Sequence, residues 1–328
     1  MARIFMTGGT GFISANVARR LAEGDHEVHV FHRGETSADL PESIRHHYGD
    51  RTFPGELSAA MDIVAPDIFI DMNPFTHEEA ARAASAATQA DVRATVVISS
   101  GDVYRQCDGL RGRWDGEPDP IPLAEDAPLR QTRYPYRDKA ESREGRLHDY
   151  DKLEVEQAYR EAELPATILR LPKVFGRGDL TCFNDYIQRL ERFLPVIEMS
   201  TARAGWRWSR ADVDSVAEAI AEVGSDPHEG VFNLAPEQCP TELDWLHMLA
   251  DALGWGGAVR EPKQEAPSQD EYDWRFDVVL DGSRFREIWS SRLLAYPQAA
   301  IDRALGDMVD RERPVPPPAK TTGPRPRQ

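Results

Sequence analysis

The chain has 328 residues, of which 41% are hydrophobic and 29% charged, a composition typical of a folded protein with one large domain or two smaller ones. No apolar run approaches the roughly 18 residues that a membrane-spanning helix needs. The formal net charge of −17 disfavours general nucleic-acid binding, which depends on a basic surface.

The cysteines and the first residues suggest a cellular compartment. Cys107, Cys182 and Cys239 are far apart and form neither a CxxC metal pair nor a disulfide framework. We therefore expect no metal site and a reducing, cytoplasmic location. The first apolar run begins within three residues of Met1, so no signal peptide is expected.

A glycine-rich turn follows the first apolar run. Ile4–Met6 is too short for a helix and predicts a buried strand, and helical spacing begins at Ser14. Between them, the glycines at 8, 9 and 11 lack a Cβ, so the backbone can approach a pyrophosphate closely. The free N–H groups that open the next helix would face its negative charge. An ordinary glycine turn is the alternative, but the position between strand and helix favours a dinucleotide site.

Strands and helices alternate over the first hundred residues. This alternation predicts an α/β fold with a Rossmann-type doubly wound parallel sheet. The carboxyl ends of such strands face the cofactor, which makes Asp71 and Met72 candidate contacts. The further predicted strands are His26–Phe31, His46–Asp50, Pro66–Met72 and Thr95–Ser100, and the predicted helices are Leu57–Ile63 and Glu78–Ala90.

The tip of the second predicted strand is basic, with the sequence His32-Arg33-Gly34. An acid at this position bonds the ribose 2′-OH of NAD, whereas an arginine accommodates the 2′-phosphate of NADP. Arg33 therefore favours NADP over NAD as the cofactor. The alternative is that Arg33 is a solvated turn residue.

The sequence of the glycine turn, Thr7-Gly8-Gly9-Thr10-Gly11-Phe12-Ile13, resembles the opening of the extended short-chain dehydrogenase/reductases, the NAD(P)-dependent epimerases and dehydratases. The resemblance implies that these seven residues bind the cofactor and that Asp50 contacts its adenine, although Asp50 can equally be a loop acid before the next helix. The family usually has glycine at the position of Ser14, so we expect a modest local shift.

The segment Ser99-Ser100-Gly101-Asp102-Val103-Tyr104 resembles the family signature Ser-Ser-x-x-Val-Tyr. The resemblance implies that Ser100 is the catalytic hydroxyl and places Ser99 beside the cofactor. A hydroxyl at the end of a strand can hydrogen-bond the oxygen that gains charge during hydride transfer. A loop serine without a catalytic role is the alternative. The polar stretch 108–143 that follows is expected to cover the active site or hold an anionic substrate, or else to be a surface excursion.

The acid/base pair departs from the family pattern of tyrosine four residues before lysine. Lys152 fits the lysine, which in the family holds the nicotinamide ribose, but His148 stands where the tyrosine is expected. His148 titrates near neutrality and is one candidate. Tyr150 is about 200° from Lys152 on a regular helix, so it can serve only if the helix begins late. Tyr134 or Tyr136 from the preceding loop are further alternatives, and loss of hydride chemistry is the fourth.

The remaining chain predicts the end of the sheet and a second, smaller domain. Strands are predicted at Leu164–Leu171, Val231–Leu234 and Phe276–Leu280, and helices at Phe183–Phe193, after Asp212 and Asp214, and after Thr241. The resemblance implies that Pro172 and Val174 line the cofactor, with Lys173 a candidate substrate contact.

These elements predict two domains and a tail. We expect a dinucleotide-binding domain at 1–172, to which 206–235 return, and a substrate-binding domain at 173–205 and 236–312. Residues 313–328 hold six prolines and are expected to be disordered. The expected function is that of an NAD(P)-dependent epimerase, dehydratase or reductase acting on a small polar substrate, and the resemblance implies a homodimer. The alternative is a dinucleotide-binding sensor or partner-binding protein without catalysis.

Overall fold

A computed structural model describes residues 1–140, 147–192, 194–262, 272–291 and 297–309. The predicted tail at 313–328 lies outside these residues. The strands are β1 (Arg3–Thr7), β2 (Glu27–His32), β3 (Arg45–Tyr48), β4 (Ile68–Asp71), β5 (Ala94–Ser100), β6 (Ala166–Leu171), β7 (Lys173–Phe175), β8 (Val196–Glu198), β9 (Arg210–Asp212), β10 (Gly230–Asn233) and β11 (Ala258–Arg260). The helices are α1 (Phe12–Glu23), α2 (Glu56–Val64), α3 (His77–Gln89), α4 (Gln106–Leu110), α5 (Lys152–Glu161), α6 (Asn184–Glu191), α7 (Thr201–Gly205), α8 (Val213–Ser225), α9 (Glu242–Leu253), α10 (Ser283–Ile288) and α11 (Pro297–Val309).

The central sheet of the described chain has seven parallel strands in the order β10-β6-β5-β4-β1-β2-β3. The strand order reverses between β1 and β4, and ligands of open α/β sheets bind at such a switch point, beyond the carboxyl ends of the strands. The predicted doubly wound parallel sheet is therefore confirmed.

Helices cover both faces of the sheet, and the alternating side chains of β1 show which helices pack on each face. Ile4 and Met6 point to the face covered by α1 and α8, while Phe5 points to the face covered by α2, α3 and α5. Successive side chains of a strand point to opposite faces, so a sheet buried on both sides needs continuous apolar strands. This explains why β1 has no polar residue between Ile4 and Met6.

A separate apolar cluster forms beyond the end of β6. Phe175, Phe183 and Trp245 pack with residues of α6, α9 and α11, and β8 pairs with β11 beside them. Thr241 caps α9 and exchanges hydrogen bonds with Asp244, as the sequence predicts. Among the described residues, no helix is long and apolar enough to cross a membrane.

The predicted strand at Phe276–Leu280 is wrong. Residues of this segment form only isolated bridges, from Val278 to Trp208 and from Leu280 to Leu123. Some backbone groups of this segment bond side chains instead of another strand: the Leu280 N–H donates to the Ser209 hydroxyl. The segment therefore ties the polar loop after β5 to the chain before β9 without extending a sheet.

Two histidine pairs link β2 to β3, the last strand at that edge of the sheet. His29 Nδ1 lies 2.8 Å from His47 Nε2, and His32 Nε2 lies 2.8 Å from His46 Nδ1. Burial lowers the pKa of His29, partly opposed by Glu27, and burial also lowers the pKa of His32 and His47. In each pair one ring nitrogen must accept the hydrogen bond. If both rings carried a positive charge, the hydrogen bond would be lost and the two rings would repel each other.

We expect this edge to weaken in acid. A histidine whose folded-state pKa lies below its unfolded value of about 6.5 binds more protons when unfolded, so its stabilising contribution is complete above that pH and falls as the pH drops through the folded-state pKa. The urea midpoint should therefore decrease between about pH 7.5 and 5.5, a range that spans this unfolded value. The double variant His29→Gln/His47→Gln should show a shallower decrease, and an equal slope in both proteins would contradict the assignment.

Candidate active site

The glycine turn forms a backbone cradle at the carboxyl end of β1. Gly8 and Gly9 have φ values of +85° and +101°, and a Cβ on Gly9 would lie 2.6 Å from a methyl group of Val30. Gly11 precedes α1 and offers no capping side chain, and the Ser14 hydroxyl accepts from its N–H at 3.1 Å. Such a turn brings backbone N–H groups close to a bound anion at a helix N-terminus. Ser14 therefore occupies the position where the family usually has its third glycine, and its side chain hydrogen-bonds within the turn without blocking it.

A cavity of about 450 Å³ opens beside this cradle. Its lining combines the turn with the tips of β2 and β3: Thr7, Gly8, Thr10, Gly11, Arg33 and Asp50 are among its residues. Phe12 lines a second cavity together with Thr10 and Gly11. Gly9 packs on Val30 instead. Ile13 is partly buried against the apolar cluster that contains Ile4 and Met6. The left-handed glycines, the uncapped helix start and the adjoining polar cavity fit a dinucleotide.

Arg33 and Asp50 both line this cavity. The Arg33 guanidinium lies 2.7 Å from the Glu35 carboxylate, with both side chains half exposed. Asp50 accepts from the Thr52 backbone N–H at 2.8 Å, so it also organises its own turn. Both side chains are therefore placed where a cofactor in this cavity could reach them. Their predicted contacts with its adenosine part stay predictions.

Asp71 and Met72 lie behind the cavity rather than in its lining, which corrects their expected position. The Asp71 carboxylate is fully buried and accepts from Thr7 at 2.8 Å, from Arg51 at 2.5 and 2.9 Å, and from Tyr159 at 2.7 Å. Burial alone would raise the pKa of Asp71, but the Arg51 guanidinium holds it below its usual value. Met72 packs into the apolar cluster under α1. These residues shape the strand ends that carry the site.

We expect Asp71→Asn to lower the free energy of unfolding by about 3–5 kcal/mol, because removing one partner leaves the buried Arg51 charge uncompensated. Denaturant unfolding measures this loss. The dissociation constant of the cofactor, measured on the fraction that remains folded, should change far less. A variant of normal stability with weakened cofactor binding would instead restore Asp71 as a cofactor contact.

The two serines at the end of β5 point in opposite directions. Ser100 lines a cavity of about 310 Å³, and its hydroxyl accepts from the Asp102 backbone N–H at 3.1 Å. Ser99 is buried on the other face and donates to Glu156 at 2.7 Å, where Glu156 pairs with Arg170. Ser100 thus occupies the position expected of the catalytic hydroxyl, while Ser99 supports the sheet instead of meeting the cofactor directly.

Lys152 is the first residue of α5, and its side chain reaches the edge of the sheet. The ammonium donates to the carbonyls of Pro74 at 2.6 Å and Ile98 at 2.9 Å, at the ends of β4 and β5. β4 pairs directly with β1, so the carbonyl of Pro74 and the glycine turn follow the carboxyl ends of neighbouring strands. Burial lowers the pKa of Lys152 to about 8, although the carboxylates of Asp71 and Asp102 act in the opposite direction.

The late start of α5 changes the geometry on which the acid/base candidates are compared. Because Asp151 caps the helix, neither His148 nor Tyr150 is helical, and the four-residue helical spacing that favoured His148 is absent. His148 bonds its neighbour Asp149 at 2.8 Å and lines neither the 450 Å³ nor the 310 Å³ cavity. Tyr150 lines neither cavity either, but its ring is buried, with its centroid 5.8 Å from Lys152 Nζ and 5.2 Å from the ring of Tyr136, which lines the 310 Å³ cavity.

Residues from the polar loop complete the 310 Å³ cavity. Tyr136 folds in and donates to Asp102 at 3.0 Å, while its hydroxyl accepts from Arg111 at 2.9 Å. Tyr134 stays apart, with its ring under the guanidinium of Arg137. Besides Ser100, the lining comprises Asp102, Arg111, Tyr136, Leu171, Pro172, Lys173, Trp208 and Tyr272.

Pro172 lines this cavity, whereas Val174 packs partly against the main apolar cluster, and the cofactor contacts of both residues stay predictions. Sequence analysis did not single out Asp102, Arg111 or Tyr272 as functional residues. Asp102 stands at a variable position of the serine motif, and the other two are distant in sequence and gave no signal by themselves.

Two sequence comparisons show what the chain is similar to. A sequence profile described as the NAD dependent epimerase/dehydratase family matches residues 4–235. A protein of Streptomyces kanamyceticus named 2′-dehydrokanamycin reductase is 35% identical over 304 residues, covering 85% of this chain and 77% of the relative.

Solved structures share the fold at low identity. The Bordetella bronchiseptica enzyme WbmH in complex with NAD⁺ matches with a TM-score of 0.70 at 14% identity, covering 95% of this chain and 99% of that chain. The Thermus thermophilus UDP-glucose 4-epimerase complex with NAD matches with a TM-score of 0.66 at 17% identity, covering 94% and 100%. Since the profile spans well over half of the sequence, the chain belongs to the NAD-dependent epimerase/dehydratase family.

Proposed function

We propose that this chain is an NADP-dependent reductase that adds hydride to a ketone carbon of a small sugar-like substrate, with Tyr150 as the proton donor. Membership of the family makes it an NAD(P)-dependent enzyme of the epimerase/dehydratase or reductase type. The observation that carries the finer proposal is the buried Tyr150 ring beside the Lys152 amine and against the ring of Tyr136, which lines the same cavity as Ser100. The relative named as a reductase supports the direction of the reaction.

Tyr150 holds the proton that ketone reduction needs. Burial raises the pKa of Tyr150 well above its usual value, and the nearby Asp102 carboxylate raises it further. The phenol is therefore protonated at neutral pH, and a bound cofactor and substrate have to lower this pKa for the proton to be transferred efficiently. Reduction of a ketone needs such a donor, because the carbonyl oxygen takes a proton when its carbon takes hydride.

Each further group has a distinct task in this scheme. A bound nicotinamide supplies the hydride. Ser100 would donate to the ketone oxygen and stabilise the charge that develops there. Two of the three Lys152 N–H groups bond strand carbonyls, and the third has no protein acceptor among the described residues, which suits a contact with the cofactor ribose. Tyr150 then delivers the proton that completes the alcohol, and it is reprotonated from solvent.

The preference for NADP rests on Arg33. Its guanidinium stands at the tip of β2 and lines the 450 Å³ cavity. Glu35, the first acid after this tip, pairs with Arg33 at 2.7 Å. A planar guanidinium matches the geometry of a phosphate, which supports NADP.

The size and lining of the 310 Å³ cavity support a sugar-like substrate. A volume of this order suits one ring and its substituents, and aromatic side chains from Tyr136, Trp208 and Tyr272 supply flat apolar contacts around it. Polar groups of Ser100 and Asp102 share the same walls. Arg111 and Lys173 add charged groups to these walls, and polar groups set between aromatic faces favour a compact polar ring.

A turnover assay tests this proposal. Purified protein is incubated with NADPH or NADH and a panel of keto sugars and small cyclic ketones, and the loss of nicotinamide absorbance is followed. We expect reduction with NADPH in preference to NADH. Tight cofactor binding without turnover of any ketone would instead support the dinucleotide-binding protein without catalysis.

Three organisational features stay proposals. We propose the dinucleotide-binding domain at 1–172 with 206–235, the substrate-binding domain at 173–205 and 236–312, and a homodimer in the cytoplasm. Sedimentation velocity tests the dimer, because a 36.9 kDa chain and its dimer separate clearly. Limited proteolysis tests the domain boundaries.

A further inference from the structure

The tip of β2, residues 33–36, lines the 450 Å³ cavity and is held at both ends. Gly34 has a φ value of +80°, a conformation that suits glycine, and its backbone N–H donates to Nδ1 of His32 at 3.1 Å. At the other end, the Thr36 hydroxyl lies 2.7 Å from the hydroxyl of Thr10 in the glycine turn. The ring of His32 therefore fixes the turn that follows its own strand.

The hydrogen bonds also determine where the two imidazole rings carry their hydrogens. The Gly34 N–H can only donate, so Nδ1 of His32 carries no hydrogen. The neutral ring then carries its hydrogen on Nε2, which donates to His46 Nδ1 on β3 at 2.8 Å. The Tyr48 ring packs against both imidazoles. We call this chain of bonds, from His46 through His32 to the Gly34 N–H, the histidine bridge.

We infer that His32 is a positioning residue for cofactor recognition, because the histidine bridge holds the tip of β2 in the shape that presents Arg33 to the 2′-phosphate of NADP. This inference rests on the proposed function, which assigns that phosphate to Arg33. Nδ1 of His32 acts here as the side-chain oxygen of asparagine does when it accepts from the N–H two residues ahead. A turn that is already formed loses less conformational entropy when a ligand binds.

The role of His46 in the histidine bridge is to orient the His32 ring. Without a partner for Nε2, this ring at the end of β2 would be free to change rotamer, and Nδ1 would leave the Gly34 N–H. Fixing one such side chain in advance spares the ligand part of the cost of ordering it. His46 therefore acts on the tip only through His32.

A second histidine pair on the same two strands provides a matched control. His29 Nδ1 lies 2.8 Å from His47 Nε2, the same distance as in the histidine bridge. His29 is buried three residues before the tip, so its side chain points to the opposite face of the sheet. Neither His29 nor His47 belongs to the lining of the 450 Å³ cavity as the structure describes it. Loss of this pair removes an equivalent cross-strand bond and leaves the tip unchanged.

Calorimetry with NADP⁺ and NAD⁺ tests the inference without requiring turnover, because the two cofactors differ only in the 2′-phosphate. We expect His32→Leu to reduce the preference for NADP⁺ about tenfold, since the tip must then be ordered when the phosphate binds. His32→Asn should keep the preference within about twofold, because the amide oxygen is bonded to Cγ as Nδ1 is and can accept from the Gly34 N–H. His46→Leu should reduce the preference about fivefold, whereas the neighbouring His47→Leu should keep it within about twofold.

A double variant distinguishes positioning from a general loss of structure. If His32 acts through Arg33, adding His32→Leu to Arg33→Ala should change the remaining preference by no more than about twofold. A further tenfold loss in the double variant overturns the inference, and so does a preference that survives in His32→Leu. Should His32→Leu not fold, the comparison of His46→Leu with His47→Leu takes its place, and equal effects of these two overturn the inference.

The same measurements separate this inference from the proposed function. Equal affinity of the wild-type protein for NADP⁺ and NAD⁺ overturns both the inference and the preference for NADP. A preference that falls in His32→Leu and is kept in His32→Asn supports the inference even if the protein reduces no ketone, and that result contradicts only the proposed reductase.

Discussion

We expect Tyr150→Phe to lower kcat for ketone reduction by about 10²–10⁴-fold, the usual contribution of a positioned general acid. The substitution removes one hydroxyl and keeps the ring that packs between Phe75 and Tyr136. Stability should therefore change little, and the dissociation constant of NADPH should stay within about threefold. Stopped-flow single-turnover kinetics would show that the loss lies in the chemical step.

His148→Gln is the matched comparison for this variant. His148 lies outside the helix and bonds Asp149 near the surface, so we expect kcat to stay within about threefold of the wild-type value. A large loss in His148→Gln together with a small loss in Tyr150→Phe would reverse the assignment. Similar activity in both variants would direct attention to Tyr136, which lines the 310 Å³ cavity and donates to Asp102.

The sequence predicted the nucleotide-binding half of the fold closely because each element there satisfies its own local rule. The apolar run at Ile4–Met6, the glycine turn and the helix after it need no distant partner to be recognised. The strand predicted at Phe276–Leu280 failed because its apolar residues are buried by loop contacts rather than by a sheet. Patterns of hydrophobicity report burial, but they do not report which backbone groups a segment will bond.

The candidate site was predictable only where a motif fixes a residue to an element. Ser100 ends β5 and the glycine turn comes directly after β1, so predicting each strand also placed these residues. The place of Tyr150 depended on where α5 begins, and Asp151 determines this by capping the helix with its side chain while pairing with the distant Arg130. Asp102 likewise became a candidate only through its hydrogen bond with Tyr136 and its place in the cavity lining, both of which exist only in the folded chain. Long-range pairing of this kind leaves no periodic signal in a sequence.

The basic tip of β2 makes a further strong prediction. We expect Arg33→Ala to raise KM for NADPH by about tenfold to a hundredfold while leaving KM for NADH nearly unchanged, because only NADPH carries the 2′-phosphate that the guanidinium would bind. Arg33→Lys should recover only part of the loss, since an ammonium cannot form the paired bonds of a planar guanidinium. Steady-state kinetics with both cofactors measures the ratio directly.

Glu35 provides the opposing variant. The Arg33 guanidinium lies 2.7 Å from the Glu35 carboxylate, and this carboxylate would repel a nearby phosphate. Glu35→Gln should therefore lower KM for NADPH, by a modest factor because both side chains are half exposed and screened by solvent. The gain should shrink as salt is raised, as expected for an exposed charge interaction. If Arg33→Ala and Glu35→Gln both left the NADPH-to-NADH ratio unchanged, Arg33 would be a solvated turn residue, and the cofactor preference would have to arise elsewhere in the cavity.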